Sequence, residues 1–160
     1  MEHTYKFTYT VDKKLMVAEI DGNYVDESGY VAYNYKVVKT MTSFAYTYSS
    51  GGSEYTQAAD DGMKYVVVDM ITKNVNYDDR ISPTAGTIQC ISDSNLSYGC
   101  DYVATEEYSG IDPFDYPDVI IGGSYSFILV FEIPEDAIIT TVGYEYTGLY
   151  NWVLDTSLPV

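Results

Sequence analysis

The sequence has little of what enzyme active sites and nucleic-acid-binding surfaces are usually built from. Of 160 residues, one is histidine, one is tryptophan, and eight are lysine or arginine, against 24 aspartates and glutamates. The net charge of −16 argues against nucleic acids and anionic membranes as partners, because phosphate contacts need clustered basic side chains. No apolar run approaches the ~20 residues that cross a bilayer, so no transmembrane segment is predicted.

Catalytic motifs are also missing from the sequence. There is no G-x-S-x-G nucleophile motif, and the single histidine, His3, lies near the N-terminus, far in sequence from both cysteines. Pairs of carboxylates are so numerous that no one pair indicates a glycosidase. We therefore predict that the protein is not an enzyme and has no catalytic residues.

The first ten residues, MEHTYKFTYT, contain neither an apolar stretch nor a small-residue cleavage site. They do not form a signal peptide. If the protein is exported, we expect that a leader preceded Met1 and was removed.

The two cysteines, Cys90 and Cys100, enclose the polar segment ISDSNLSYG, which is typical of a loop between two strands. This spacing predicts a disulfide that closes the loop, stabilises the fold by roughly 3 kcal/mol and indicates a location outside the cytosol. Two buried free thiols are the alternative. Two cysteines and a distant histidine are too few ligands for a zinc site.

Asn95 begins an Asn-Leu-Ser sequon in the same loop and is a candidate glycosylation site.

Strand patterns recur along the whole chain and are separated by Gly, Asp and Pro turns. In the stretch GMKYVVVDMITKN (62–74), Tyr65, Val67 and Ile71 alternate with Val66, Val68 and Met70, so both faces are apolar, as in the central strand of a sandwich whose outer face is also covered. SYSFILVFEIP alternates clearly and ends at a proline. GTIQCIS and YGCDYVAT are predicted to flank the cysteine loop as strands, and no helix is predicted.

These patterns predict an all-β fold, an antiparallel immunoglobulin-like β-sandwich of about seven to nine strands. The chain is long enough for one domain, residues 1–160. The prediction places N-terminal strands in residues 1–29 and a tail in residues 156–160.

Three segments, YKVVKTMTSF, GMKYVVVDMITKN and GGSYSFILVFEIPED, give residues 30–155 a resemblance to a known family. It is a widespread family of exported domains known only as a domain of unknown function (number forty-three fifty-two), similar to mycobacterial immunoprotective extracellular proteins. The residues at matching places are Gly62, Tyr65, Asn74, Gly123, Phe131 and Pro134. The resemblance implies an immunoglobulin-like sandwich that is secreted or held at the cell surface, and it implies no catalytic residue.

Acidic and amide side chains gather in four loop segments, and such oxygens are the ligands that calcium prefers. None matches the EF-hand loop pattern, and solvated loop acids are the alternative for each. One segment, in the cysteine loop, holds Asp93 and Asn95. The other candidate metal ligands are Asp60, Asp61, Asn74, Asn76, Asp78, Asp79, Asp112, Asp115 and Asp118.

The nineteen tyrosines exceed what one sandwich core can bury, so some are expected on the surface. The candidate surface aromatics are Tyr46, Tyr48, Tyr146, Tyr150 and Trp152. Ordinary cross-strand pairing on a solvated sheet is the alternative interpretation.

Taken together, these patterns predict a non-enzymatic extracellular or cell-surface module. It acts through a protein partner or through self-association into a homo-oligomer, with cations such as calcium screening the carboxylates. The N-terminal segment TYKFTYTV lies outside the family-like core, and such a strand can pair with a neighbour's sheet edge. The alternative function is a monomeric ligand- or glycan-binding domain.

Overall fold

A computed structural model of the chain describes residues 5–10, 13–18, 22–26, 31–48, 51–144 and 152–154. One α-helix, α1 (Tyr102–Ser109), and a short 3-10 turn, Ala85–Thr87, accompany the strands. The strands are β1 (Tyr5–Thr10), β2 (Lys13–Ala18), β3 (Gly22–Asp26), β4 (Val31–Met41), β5 (Ser43–Thr47), β6 (Glu54–Ala58), β7 (Met63–Asn74), β8 (Ile88–Ser92), β9 (Ser97–Gly99), β10 (Ser124–Pro134), β11 (Ile139–Tyr144) and β12 (Trp152–Leu154).

The strands form two main sheets, and every pairing between strands is antiparallel. A five-stranded sheet has the order β10-β7-β4-β3-β12, and a three-stranded sheet has the order β11-β8-β9. Hairpins β1–β2 and β5–β6 are separate two-stranded sheets. The predicted all-β antiparallel sandwich is confirmed, and the eight strands between residues 31 and 144 agree with the expected seven to nine.

Strand β7 is the centre of the five-stranded sheet, as its two apolar faces predict. It pairs with β10 from Met63 to Lys73 on one side and with β4 from Tyr65 to Asn74 on the other. Tyr65 and Val67 belong to one buried cluster, whereas Val66, Val68 and Met70 belong to another. A strand with both faces buried needs apolar residues at consecutive positions, which explains the unbroken Val66–Val68 run.

The larger core lies between the two main sheets. Phe127, Leu129, Phe131 and Ile133 of β10 alternate into it, where Ile88 and Cys90 of β8 and Val142 of β11 meet them. Burying this set supplies most of the hydrophobic stabilisation, since stabilisation scales with apolar area removed from water.

A smaller core lies on the opposite face of the five-stranded sheet. Phe44 of β5 and Ala104 of α1 pack there against Tyr65, Val67 and Val130. The β5–β6 hairpin and α1 therefore cover this face, which confirms that the outer side of β7 is not open to water.

Helix α1 corrects the prediction that YGCDYVAT is one strand: only Ser97–Gly99 is extended. The Asp101 side chain accepts a hydrogen bond from the Ala104 N–H at 2.9 Å, and Gly110 ends the helix with φ of 74°. An aspartate at the N-cap and a glycine with left-handed backbone at the C-cap commonly bound a helix. Here these two residues indicate the helix, because its apolar periodicity is weak. No helix in the described part of the chain is long and apolar enough to cross a membrane.

Substituting Asp101 tests whether its N-cap hydrogen bond stabilises α1. Asp101→Ala removes the acceptor of the Ala104 N–H, and we expect it to lower the free energy of unfolding by about 1 kcal/mol. Asp112→Ala is the matched control, because Asp112 caps an exposed turn outside the helix. Urea unfolding followed by circular dichroism measures both, and an equal loss in the two variants would contradict a special role for the cap.

The cysteines correct the disulfide prediction, since both are free and buried. The register pairs Gln89 with Gly99 and Cys90 with Tyr98, so Cys100 lies two residues beyond the partner of Cys90. Diagonal neighbours of this kind are about 7–8 Å apart. A disulfide needs Cα atoms about 4.4–6.8 Å apart.

Burial also makes both thiols poor nucleophiles. It raises the pKa of Cys90 to about 12 and that of Cys100 to about 11. The Cys100 Sγ lies 3.1 Å from Thr105 Oγ1, which also accepts a hydrogen bond from the Val130 N–H at 2.9 Å. These contacts attach the start of α1 to β10, a structural role.

Counting the reactive thiols distinguishes two free cysteines from a disulfide. At pH 8 without reductant, we expect the native protein to react slowly with iodoacetamide, because the thiolate is the reactive form and little is present. Unfolding in urea under the same conditions should release two reactive thiols per chain. No thiols after unfolding would instead show that the cysteines form a disulfide.

Candidate functional site

Three tyrosines gather on the β5–β6 hairpin and form what we call the tyrosine cluster: Tyr46, Tyr48 and Tyr55. Tyr46 and Tyr55 are directly opposite each other across the two strands, with ring centroids 5.7 Å apart. The Tyr48 ring meets Tyr46 edge-on at 5.3 Å and Tyr55 at 5.4 Å. Tyr48 is 52% exposed and Tyr55 is 47% exposed. The cluster is a continuous, half-exposed aromatic surface.

The hairpin is fixed to the body of the protein at its root. The Phe44 ring packs edge-on against Tyr65 at 5.6 Å and against Tyr108 of α1 at 5.3 Å. The Tyr65 hydroxyl donates to the Ala58 carbonyl at 3.1 Å and accepts from Gln57 Nε2 at 3.2 Å. The cluster is thus held by buried aromatic contacts, although its own rings face water.

Glu107 of α1 lies beside the cluster. Its Oε1 accepts a hydrogen bond from the Tyr48 hydroxyl at 3.4 Å, and its Oε2 is buried with no hydrogen-bond partner among the described residues. Hydrogen bonds with Tyr48 and Glu107 raise the pKa of Tyr46 well above its ordinary value, so its hydroxyl stays protonated. Next to it, the Lys39 ammonium lies 5.0 Å from the centre of the Tyr108 ring, at cation–π distance.

The sequence predicted part of this surface. Tyr46 and Tyr48 were expected at the surface, and Tyr48 is half exposed there, whereas Tyr46 is half buried. Tyr55 and Glu107 were missed, although pairing FAYTY with EYT across the SSGG turn would have placed Tyr55 opposite Tyr46. Tyr146 and Tyr150 lie outside the described residues. Trp152 is in β12, and its side chain is outside the described part.

Asn74, predicted as a metal ligand, is fully buried at the end of β7 and organises the following loop. Its Nδ2 donates to the carbonyls of Asp79 at 3.0 Å and Val119 at 3.1 Å, and its Oδ1 accepts from the Tyr77 N–H at 2.9 Å. These bonds assign Asn74 a structural role.

The acids that follow Asn74 are spread along an exposed loop. Asp79 Oδ1 accepts from the backbone N–H of Arg80, and Arg80 Nη1 donates to Asp118 Oδ2 at 3.1 Å. Hydrogen bonds from Ser82 and then Arg80 lower the pKa of Asp118 below its ordinary value. Asn76 and Asp78 are exposed. A guanidinium therefore occupies the place at Asp118 where a cation was expected.

The remaining acidic candidates lie in separate turns. Asp60 and Asp61 are exposed before β7, and Asp112 accepts a hydrogen bond from the Phe114 N–H at 2.8 Å, with Asp115 exposed nearby. Asp93 and Asn95 lie in the exposed β8–β9 turn, where Asn95 has a φ of 59°. Among the described residues no three histidine, cysteine, aspartate or glutamate side chains come together as a metal site. Calcium binding and glycosylation of Asn95 stay predictions.

Comparisons with known proteins add no activity. No family model matches the chain, and no curated protein does. It is similar to a solved, uncharacterized β-sandwich protein from Clostridium difficile 630, with 11% identity over 89% of this chain and 95% of that one and a TM-score of 0.48. A conserved hypothetical protein from Bacillus anthracis is 13% identical over 76% of this chain and 93% of its own, with a TM-score of 0.47. The resemblance to the exported domain family stays a prediction.

Proposed function

We propose that this protein is a non-enzymatic, extracellular or cell-surface β-sandwich module that works through protein–protein contacts at the tyrosine cluster. The observation that carries the proposal is a cluster of three touching rings, two of them about half exposed, on a hairpin anchored in the core. The resemblance to exported domains supports the location.

The physical state of the cluster suits a binding surface. Tyrosine combines a large apolar face with a polar hydroxyl, and it is enriched at the centres of protein interfaces. The rings pack against each other before any partner arrives, so little side-chain freedom remains to be lost on binding. Truncating such residues in other interfaces often costs 2 kcal/mol or more of binding free energy.

The charge of the protein indicates how association is controlled. Each copy carries a net charge of −16, from 24 acidic side chains against eight basic ones. Two copies therefore repel each other at low ionic strength. Calcium or other cations that screen or bridge these carboxylates promote self-association in this proposal.

Removing the exposed rings tests the proposal. We expect Tyr48→Ser combined with Tyr55→Ser to weaken self-association at least tenfold, because it deletes the aromatic face of the hairpin. Tyr77→Ser combined with Tyr102→Ser is the control, since it removes two tyrosines that are 37% exposed elsewhere. Sedimentation equilibrium over a range of concentrations measures the association constants.

Two outcomes would contradict the proposal. Equal weakening by both pairs of substitutions would show that the tyrosine cluster has no special role. A wild-type protein that stays at the 17.9 kDa of one chain in all conditions would favour the alternative, a monomeric ligand- or glycan-binding domain.

A further inference from the structure

The outer edge of β6 is an unprotected strand edge. Among the described residues β6 pairs with β5 alone, in a two-stranded sheet with unbroken register over all five residues. It contains no proline and a single charged residue, Glu54, at its start. The Ala58 carbonyl at the end of β6 already accepts a hydrogen bond from the Tyr65 hydroxyl. The open part of the edge is therefore residues 54–57, where free N–H and C=O groups form a template for another strand.

Another open edge in the described structure is built differently. Strand β4 continues to Met41, but β3 pairs with it only as far as Tyr35. The segment beyond carries Lys36 and Lys39 and a bulge between Val37 and Lys39. Lysines and bulges are the usual devices that prevent strand addition. The two edges differ, and β6 is the receptive one.

Strand β1 has the complementary properties. Among the described residues it pairs with β2 alone, and β2 contacts β11, so β1 is the outer strand of its hairpin. It has six residues, close to the five of β6. Residues 5–18 contain three of the chain's eight basic residues and one acid, so this hairpin is basic in a protein whose net charge is −16.

The surroundings of β6 suit a basic strand. Glu54 and Glu107 supply negative charge, and the Glu107 Oε2 lacks a hydrogen-bond donor among the described residues. The tyrosine cluster offers aromatic faces to an ammonium group. The Lys39 ammonium over the Tyr108 ring already shows this contact beside the cluster.

We propose that β1 of a second copy adds to the outer edge of β6, so that two hairpins from neighbouring copies join as a four-stranded sheet, β5-β6-β1-β2. The inference rests on the proposed function and names its partner segment. Donor and acceptor are different parts of the chain, so the contact is head-to-tail and links copies into a ring or an open chain. The basic hairpin meets the acidic, tyrosine-bearing edge in each contact.

Mixing two full-length variants tests the proposal. The donor-deficient variant carries Lys6→Glu, Lys13→Glu and Lys14→Glu, and the acceptor-deficient variant carries Tyr55→Lys, which sets like charge against the incoming strand. We expect each variant alone to have the mass of one 17.9 kDa chain, and an equimolar mixture to form a one-to-one dimer of twice that mass. The donor-deficient variant keeps an intact β6 edge, and the acceptor-deficient variant keeps an intact β1, so one contact can form between them.

Controls separate this inference from the proposed function. Leu96→Lys adds a lysine at a 55% exposed residue of the β8–β9 turn, and Lys73→Glu reverses a lysine of β7, a strand that is paired on both sides. Both variants should assemble like the wild type. If wild type assembles but the mixture stays monomeric, the strand-addition inference is wrong and the proposed function survives. A wild type that never assembles overturns both.

A milder pair of variants guards against misfolding of the first set. Glu107→Gln keeps the size of the side chain and removes its charge, and we expect it to weaken assembly about tenfold. Glu106→Gln changes the preceding, exposed residue of the same helix and should leave assembly within twofold of wild type. Equal effects of the two substitutions would contradict the role given to Glu107.

Discussion

Phe131→Ala is expected to lower the free energy of unfolding by about 3–5 kcal/mol, a large part of the stability of a domain of this size. Phe131 is fully buried in the middle of β10, within the core between the two main sheets. Its backbone also forms a bridge to Cys100 at the edge of the sheet. Truncation therefore leaves a cavity where β10 joins the sheets, and packing around it cannot fully relax.

Phe114→Ala is the matched control for this prediction. Phe114 is 66% exposed and contacts the Tyr102 ring at a centroid distance of 4.5 Å. Losing one exposed aromatic pair should cost about 1 kcal/mol or less. Urea unfolding of both variants measures the difference, and similar losses would mean that the core between the sheets does not dominate stability.

Asn74→Ala is expected to destabilise the protein by about 2–4 kcal/mol, although the change removes only three heavy atoms. The substitution deletes three hydrogen bonds, two donated to the Asp79 and Val119 carbonyls and one accepted from the Tyr77 N–H. The Val119 carbonyl keeps its bond from the Ile81 N–H, so the cost falls mainly on the other two groups. Buried polar groups that lose their partners cost about 1–3 kcal/mol each. The backbone of Asn74 also bonds to Gly122 and Gly123, so the loop it holds is attached to two neighbouring segments.

Asn76→Ala provides the comparison, because Asn76 is exposed in the same loop and should change stability by less than about 0.5 kcal/mol. The Asn74 result also decides between its two assigned roles. If Asn74 has a structural role, Asn74→Ala lowers the free energy of unfolding by the same amount in chelator and in calcium. A loss of stability that appears only in calcium would support the metal-ligand prediction instead.

The sequence predicted the architecture where strand periodicity was strong. The alternation in β10 and the doubly apolar β7 determined both their structure and their burial, because a period of two can be satisfied only by a sheet with defined faces. The apolar and aromatic segment YVAYNYKVVKTMTSFAYTY (30–48) is long enough for one bent strand or two, and it contains β4 and β5.

The failures all concern contacts that depend on register or capping. Helix α1 was missed because its signal is the pair Asp101 and Gly110 rather than apolar periodicity. The disulfide prediction was wrong because the length of the loop does not show the strand register. In that register Cys90 pairs with Tyr98, two residues before Cys100. Asn74 is a separate case: its burial and three hydrogen bonds give it a structural role in the loop, and the calcium prediction stays a prediction.

The candidate site was predictable in type but not in composition. An excess of tyrosine indicated an aromatic surface, and Tyr48 is on it. Tyr55 could have been placed by pairing the two strands of the hairpin, whereas Glu107 joins the surface only through the position of α1, far along the chain. A contact between residues so far apart in the sequence cannot be predicted from the local pattern of residues.

The central claim is that this acidic protein works by contact between copies, and the solution mass tests it most directly. Light scattering would be recorded in chelator and then in millimolar calcium, with magnesium and sodium chloride at matched ionic strength for comparison. We predict a mass near 17.9 kDa in chelator and ordered growth to larger species once cations are added. A single-chain mass in every condition would contradict the claim.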